Sequence, residues 1–215
     1  MIVAADGPPG APSLLAPLAG RPIVEHSIDA FAAAPAVDEI VLVAPPGLAR
    51  GLPAGRVTLV AGTAGSRAAS VARAVEALGE TECLLLIHDA ARPLIGPRVI
   101  ADCAAALCSA DAVCAAVPAS DTMVAVEKGI ITERPDRSRL RRREYPQGFR
   151  LPVIRRGYEL ALADPGYQPT DDCGVVLRYL PGVPVRLVPG SGPGFPVTSP
   201  LDLDIAEAIL RAQLR

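Results

Sequence analysis

Leu84 to Ile87 is an unbroken apolar run, too short for a globular helix and suited to a strand covered on both faces. Such a strand commits the chain to a sheet layered by helices, and ligands of open α/β sheets bind beyond the carboxyl ends of the strands. Here that end reads His88-Asp89-Ala90-Ala91-Arg92-Pro93. Ala90 and Ala91 are small enough for a flat ligand to approach the backbone, Asp89 offers oxygens to a hard cation, and Arg92 can meet an anion. The same residues permit a plainer role, with Asp89 capping the following turn and Arg92 a solvated charge.

The rest of the chain supplies strands and helices in alternation. Met1–Ala5 is an apolar run entering the turn Asp6-Gly7-Pro8-Pro9-Gly10-Ala11-Pro12. Prolines contribute no N–H donors there, and neither G-x-G-x-x-G nor G-x-x-x-x-G-K-[ST] occurs, so no Rossmann dinucleotide site or P-loop is supported. Pro22 opens a helical pattern that Pro35 closes, and 39–44 and 56–61 read as strands. Ser66 is the natural N-cap of a helix that buries Val71, Val75 and Leu78, with Ser70 and Arg67 on its first turn. A helix over 97–110 and a strand over 112–117 complete the order β-α-β-β-α-β-α-β, which implies a largely parallel sheet.

Met123 to Arg134 breaks this rhythm. Val124, Val126, Ile130 and Thr132 alternate about Glu127-Lys128-Gly129, the pattern of a β-hairpin, whose apolar face a second subunit would cover. Arg139 to Arg143 reads as a solvated basic face, and Tyr145-Pro146-Gln147-Gly148-Phe149 as a turn before a helix carrying Val153, Ile154, Tyr158 and Leu162. Thr170 is the expected N-cap of a short helix reaching Tyr179, with Asp171 and Asp172 in its first turn. A strand over 183–188 and a helix opened by Pro200 close the chain.

Composition excludes several functions. A net charge of −2 without aromatic interleaving of the basic run gives nucleic acid no footing. The five cysteines form no C-x-x-C pair and the histidines are only His26 and His88, so a zinc site is not expected. With no long apolar window and no basic-then-apolar leader, the reading is a soluble cytoplasmic protein without membrane association.

A series of short motifs resembles the 2-C-methyl-D-erythritol 4-phosphate cytidylyltransferase family of the non-mevalonate isoprenoid pathway, in order along nearly the whole chain. They are Ala4-Ala5, Gly20-x-Pro22-Ile23 with Glu25-His26-Ser27, Arg67-x-x-Ser70-Val71, and above all His88-Asp89-Ala90-Ala91-Arg92-Pro93. Then follow Asp121-Thr122, Asp136-Arg137, Pro146-Gln147-x-Phe149, Thr170-Asp171-Asp172 and Val197-Thr198-x-Pro200-x-Asp202-Leu203.

The resemblance implies an α/β fold with a Rossmann-like nucleotidyltransferase sheet, mostly parallel with helices on both faces, and an inserted β-hairpin arm. It implies one nucleotidyltransferase domain over 1–215 with a projecting dimerisation arm at about 121–144. The implied reaction joins CTP to methylerythritol phosphate with release of pyrophosphate and uses Mg2+. By the same resemblance Ala4, Ala5, Gly7 and Ser70 line the cytidine and phosphate pocket, and Ala90 approaches the ribose. The resemblance also implies that Asp89 is a catalytic residue between metal, nucleotide and substrate. Thr122 and the second catalytic residue, Arg137, hold the sugar phosphate in the other subunit's site, and Asp171 lies on the substrate side. Ser13 and Pro196 stand where the family pattern has lysines, Tyr145 stands in place of a small hydroxyl residue, and Lys128 is the chain's single lysine. A second reading therefore stays open: a relative that binds nucleotide or sugar phosphate without turnover, or a nucleotidyltransferase for another polyol phosphate.

Overall fold

The computed structural model describes residues 1–4, 12–44, 57–63, 66–79, 82–166 and 169–213. The expected turn after the first strand, with Ala5 and Gly7, lies outside the described residues. In chain order the strands are β1 (Ile2–Ala4), β2 (Pro17–Leu18), β3 (Arg21–Pro22), β4 (Ile40–Ala44), β5 (Val57–Ala61), β6 (Leu84–Asp89), β7 (Ala112–Pro118), β8 (Ala125–Glu127), β9 (Ile130–Glu133), β10 (Arg141–Arg150) and β11 (Val185–Pro189). The described helices are α1 (Ile23–Ala32), α2 (Arg67–Ala77), α3 (Pro97–Leu107), α4 (Leu151–Ala163), α5 (Asp172–Tyr179) and α6 (Pro200–Gln213). None of them is long and apolar enough to cross a membrane.

Seven strands form one mixed sheet in the order β11-β7-β10-β6-β1-β4-β5. Within it only β10 runs antiparallel to its neighbours; the remaining pairs are parallel. Because side chains alternate along a strand, β6 feeds two cores. Leu86 joins Val3, Leu42, Phe31 and Ile100 on one face, whereas Leu85 and Ile87 join Ile2, Val41, Val71 and Ile154 on the other. Phe31, Ile87 and Ile154 are fully buried, each worth about 1.5–3 kcal/mol relative to exposure. Leu85 to Ile87 are thus covered on both faces as expected, whereas Leu84, at the start of the strand, stays 44% exposed.

The main departure is β10. The residues read as a solvated run and a turn form instead a ten-residue strand wedged between β6 and β7. Its turn signals have other uses. Pro146 lies where the pairing with β7 slips between Arg143 and Gln147, and bulges are where a strand accepts proline. Gly148 has no space for a side chain, since a Cβ there would come 2.7 Å from Val113 Cγ2 and 2.8 Å from Leu107 Cδ1. Nor are Arg142 and Arg143 merely solvated: the first pairs with Glu144 at 2.8 Å and the second with Asp171.

Smaller corrections concern ends and turns. The N-cap of α5 is Asp171, not Thr170, and its Oδ1 accepts from the Gly174 N–H at 2.7 Å. Ser66 caps α2 as expected, accepting from the Ala69 N–H at 3.2 Å. The hairpin forms with Lys128 and Gly129 both at positive φ, 49° and 81°, as a two-residue turn with right-handed strand twist requires. A second small hairpin, β2–β3, turns through Ala19 and Gly20 in the same way and carried no apolar alternation to announce it. The β8–β9 pair is a sheet of its own, leaving Val126, Ile130 and Ile131 at 56%, 69% and 64% exposure.

Candidate functional site

β1 and β6 end side by side, with Ala4 opposite Asp89, and the Ala90 N–H donates to the Ala4 carbonyl at 2.9 Å. Beyond them the chain turns at once, because Asp89 Oδ1 accepts from the Ala91 N–H at 3.0 Å and its carbonyl accepts from the Arg92 N–H at 3.0 Å. Asp89 therefore caps this turn. It also keeps 23% of its side chain exposed, and among the described residues Oδ2 meets only Arg92 Nε, at 3.4 Å. Arg92 is not a solvated charge: its Nη1 donates to the Gly194 carbonyl at 2.6 Å and its side chain is only 16% exposed. That bond, with the Val197 N–H donating to the Ala91 carbonyl at 2.7 Å, fastens the segment before α6 beside the Asp89 turn. Pro196 sits next to that fastening, and Ser13 accepts from the Leu15 N–H at 3.2 Å.

Ala90 and Ala91 are buried, and their methyl groups pack in the core on the Phe31 side. His88 is likewise internal: its ring lies 5.0 Å from that of Phe31, and its Nε2 bonds the Arg92 carbonyl at 3.2 Å. Burial pushes its imidazole down to about 3, so it is neutral at ordinary pH with the proton on Nε2. The expectation that His88 joins the strand-end chemistry is corrected, since the pleat turns it inward while Asp89 faces out.

Ser70, buried on α2, accepts from the Thr63 N–H at 2.9 Å and donates to the Thr63 carbonyl at 3.2 Å, holding the loop after β5 against the helix. One turn earlier Arg67 reaches across to α5 and grips both carboxylate oxygens of Asp172, at 3.1 and 2.7 Å. Tyr158 adds a donor to the same carboxylate at 2.5 Å. The bidentate geometry and the extra bond satisfy a charge with no solvent contact. Asp171 is also occupied: besides Gly174 it accepts from Gln147 Nε2 at 3.1 Å and pairs with Arg143. The opposite end of the Gln147 amide accepts from the Cys173 N–H at 2.7 Å, tying β10 to the start of α5.

Tyr145, at the bulge of β10, lies between these groups. Its ring centroid is 5.4 Å from the Arg67 guanidinium carbon and 5.1 Å from that of Arg92. Both distances are within cation–π range. The sequence marks Tyr145, Gln147 and Arg67 without giving their partners; the Arg67–Asp172 pair in particular spans 105 residues and leaves no periodic signal.

Thr122 and Arg137 lie elsewhere, in a cleft of about 960 Å³ at the root of the hairpin, lined also by Ser120, Asp136 and Arg141. Arg137 Nη1 donates to the Ser120 carbonyl at 3.1 Å, and no hydrogen bond or ion pair among the described residues links this cleft to Asp89. Among the described residues no group of three or more His, Cys, Asp or Glu could hold a metal by itself. Asp89 fits a different arrangement, in which magnesium takes one carboxylate and completes its shell with phosphate oxygens and water.

Comparison with known proteins agrees on one family. The family model described as IspD, 2-C-methyl-D-erythritol 4-phosphate cytidylyltransferase, matches residues 7–212. A relative from Thermobifida fusca carrying that enzyme name is 46% identical, over 93% of this chain and 86% of its own. Another from Frankia casuarinae is 40% identical, over 94% and 75%. Among solved structures, the cytidylyltransferase of Thermus thermophilus is similar with a TM-score of 0.80 at 30% identity, covering 98% of each chain. The 4-diphosphocytidyl-2C-methyl-D-erythritol synthase of Anaerococcus prevotii is similar with a TM-score of 0.88 at 25% identity, covering 98% of this chain and 96% of its own.

Proposed function

The chain belongs to the 2-C-methyl-D-erythritol 4-phosphate cytidylyltransferase family, the transferases that make the CDP-linked intermediate of non-mevalonate isoprenoid synthesis, and from that premise we propose how its residues carry the reaction. A phosphate oxygen of methylerythritol phosphate attacks the α-phosphorus of CTP, a new P–O bond forms, and the bond to pyrophosphate breaks. Such a transfer needs positioning and charge neutralisation more than a covalent catalyst. Ala4, Ala5, Gly7 and Ser70 form the nucleotide pocket, with the ribose over the Ala90 backbone. The observation that carries this reading is the strand-end turn, where Asp89 keeps a carboxylate oxygen available beside two residues too small to block a ligand.

Asp89 would hold a magnesium ion, which when bound would supply neutralisation of phosphate charge. Thr122 and Arg137 take the acceptor phosphate in the neighbouring subunit's site, as members of the arm expected at about 121–144 on a single domain spanning 1–215, the arm giving way to β10 of the main sheet at Arg141. The exposed Val126, Ile130 and Ile131 support that assembly, since a second copy that covers them gains about 25 cal/mol for each Å² of apolar surface buried. Asp171 stays on the substrate side, oriented by Gln147 and Arg143. The reading implies a cytoplasmic protein, where CTP is available. Pyrophosphate release should appear with CTP, magnesium and methylerythritol phosphate together. CTP binding without any release would sink the proposal.

A further inference from the structure

The loop that leaves β11 towards α6 is folded around one buried carboxylate. Glu144, on β10, keeps only 1% of its side chain exposed. Its Oε1 accepts from Arg142 Nη2 at 2.8 Å, and its Oε2 accepts from the Ser191 N–H at 3.0 Å. Two glycines of the loop have no room for a side chain because the same carboxylate stands there. A Cβ on Gly190 would run into Oε2, and one on Gly194 would come 3.1 Å from it. The Gly194 N–H donates back to the Ser191 carbonyl at 3.0 Å, so the bond at Ser191 fixes both ends of the short turn. The Ser191 hydroxyl is buried without a partner among the described residues and adds nothing to that anchorage.

Burying a carboxylate is unfavourable, and burial pushes the Glu144 carboxyl above the ordinary range against the opposing pull of Arg142, the Ser191 N–H and Arg92. An apolar side chain of similar size would fill the space without that penalty, so packing alone does not account for the residue. What the loop holds does account for it. The Gly194 carbonyl accepts from Arg92 Nη1 at 2.6 Å, and Arg92 Nε stands 3.4 Å from Asp89 Oδ2. Since Arg92 Nε makes no hydrogen bond among the described residues, the grip of Gly194 on Nη1 sets how the guanidinium lies beside Asp89.

Resting on the reading of Asp89 and its surroundings as the transfer site, we propose that Glu144 is a positioning residue for that site: its bond to the Ser191 N–H places the Gly194 carbonyl, and through it the guanidinium of Arg92 beside Asp89. Glu144 touches no reacting atom. Its effect falls on the rate, because a catalytic group displaced by a fraction of an ångström loses transition-state stabilisation while groups elsewhere still bind the substrate. What the loop requires of residue 144 is a buried acceptor at the place of Oε2.

The test compares the parent with Glu144→Ala, Glu144→Gln and Gly194→Ala, with melting temperatures recorded. Hydrogen–deuterium exchange is followed over 190–197, and steady-state pyrophosphate release is measured with CTP, magnesium and methylerythritol phosphate. Glu144→Ala removes the acceptor: the Ser191 amide should exchange about tenfold faster, and kcat should fall about tenfold, the effect of one lost hydrogen bond to a charged group. The KM for methylerythritol phosphate should stay within about twofold of the parent, because Thr122 and Arg137 are untouched. Glu144→Gln keeps an amide oxygen for the Ser191 N–H, so exchange and kcat should both return to within about threefold of the parent. If Glu144→Ala fails to fold, Gly194→Ala makes the comparison from the other side, since its methyl group crowds the carboxylate, and it should lower kcat with the same KM. A folded variant of either kind with kcat within about twofold of the parent overturns the inference, as does a Ser191 amide still protected in Glu144→Ala. So does a Glu144→Gln protein no better than Glu144→Ala. A parent that releases no pyrophosphate although its Ser191 amide is protected overturns the transfer-site reading itself.

Discussion

Replacing Asp172 by asparagine removes one charge from the Arg67–Asp172 pair while preserving shape. Asp172 is wholly buried and Arg67 is 20% exposed, so the change leaves a guanidinium mostly out of water without its counter-charge. Breaking a buried pair from one side costs about 3–5 kcal/mol, and the partial exposure of Arg67 argues for the lower end. In a chain of this size about 3 kcal/mol corresponds to a fall in Tm of about 6–12 °C. Arg67→Met strands the carboxylate instead, with the Tyr158 hydroxyl its one remaining side-chain donor among the described residues. The double variant should recover part of the loss, with a coupling of more than about 1 kcal/mol, since neither charge then remains unpaired. Urea unfolding followed by far-UV circular dichroism measures all four proteins. Strict additivity, or a loss below about 1 kcal/mol for Asp172→Asn, would refute the idea that this pair joins α2 to α5.

Three further outcomes are expected. Asp89→Ala should abolish the magnesium dependence of CTP binding in calorimetric titration while the far-UV spectrum is kept; an unchanged affinity with and without the metal would refute the role. His88 is held neutral by burial, down to about 3 from a usual value of 6.5, so the unfolded chain binds its proton where the folded chain does not. Its neutral form supports the fold fully above about pH 6.5, and stability should fall by about 1.4 kcal/mol per pH unit on acidification from there towards pH 3. That slope should be shallower in His88→Phe, and parallel curves for the two proteins would count against it. In the hairpin, Val126→Asp with Ile131→Asp should turn a dimer into a monomer in light scattering, and a parent already monomeric across a wide concentration range would dispose of the arm.

Most of the fold was legible in the chain because its signals are local. Two-faced burial marks β6, Ser66 followed by an apolar period marks α2, and Lys128-Gly129 between alternating residues marks β8–β9. The motif around Asp89 was legible for the same reason: a strand end and its turn occupy adjacent residues.

Tertiary structure alone decided β10. Its proline and glycine are turn residues by local propensity, and they became a bulge and a close packing position only because β6 and β7 leave a gap that a strand must fill. The direction of His88, the pairing of Arg67 with Asp172 and the clamp on Tyr145 were settled in the same way. Each depends on which distant residue stands opposite. Spacing along a chain carries secondary structure, whereas the partner of a buried charge or an aromatic ring is chosen when the sheet assembles and solvent leaves.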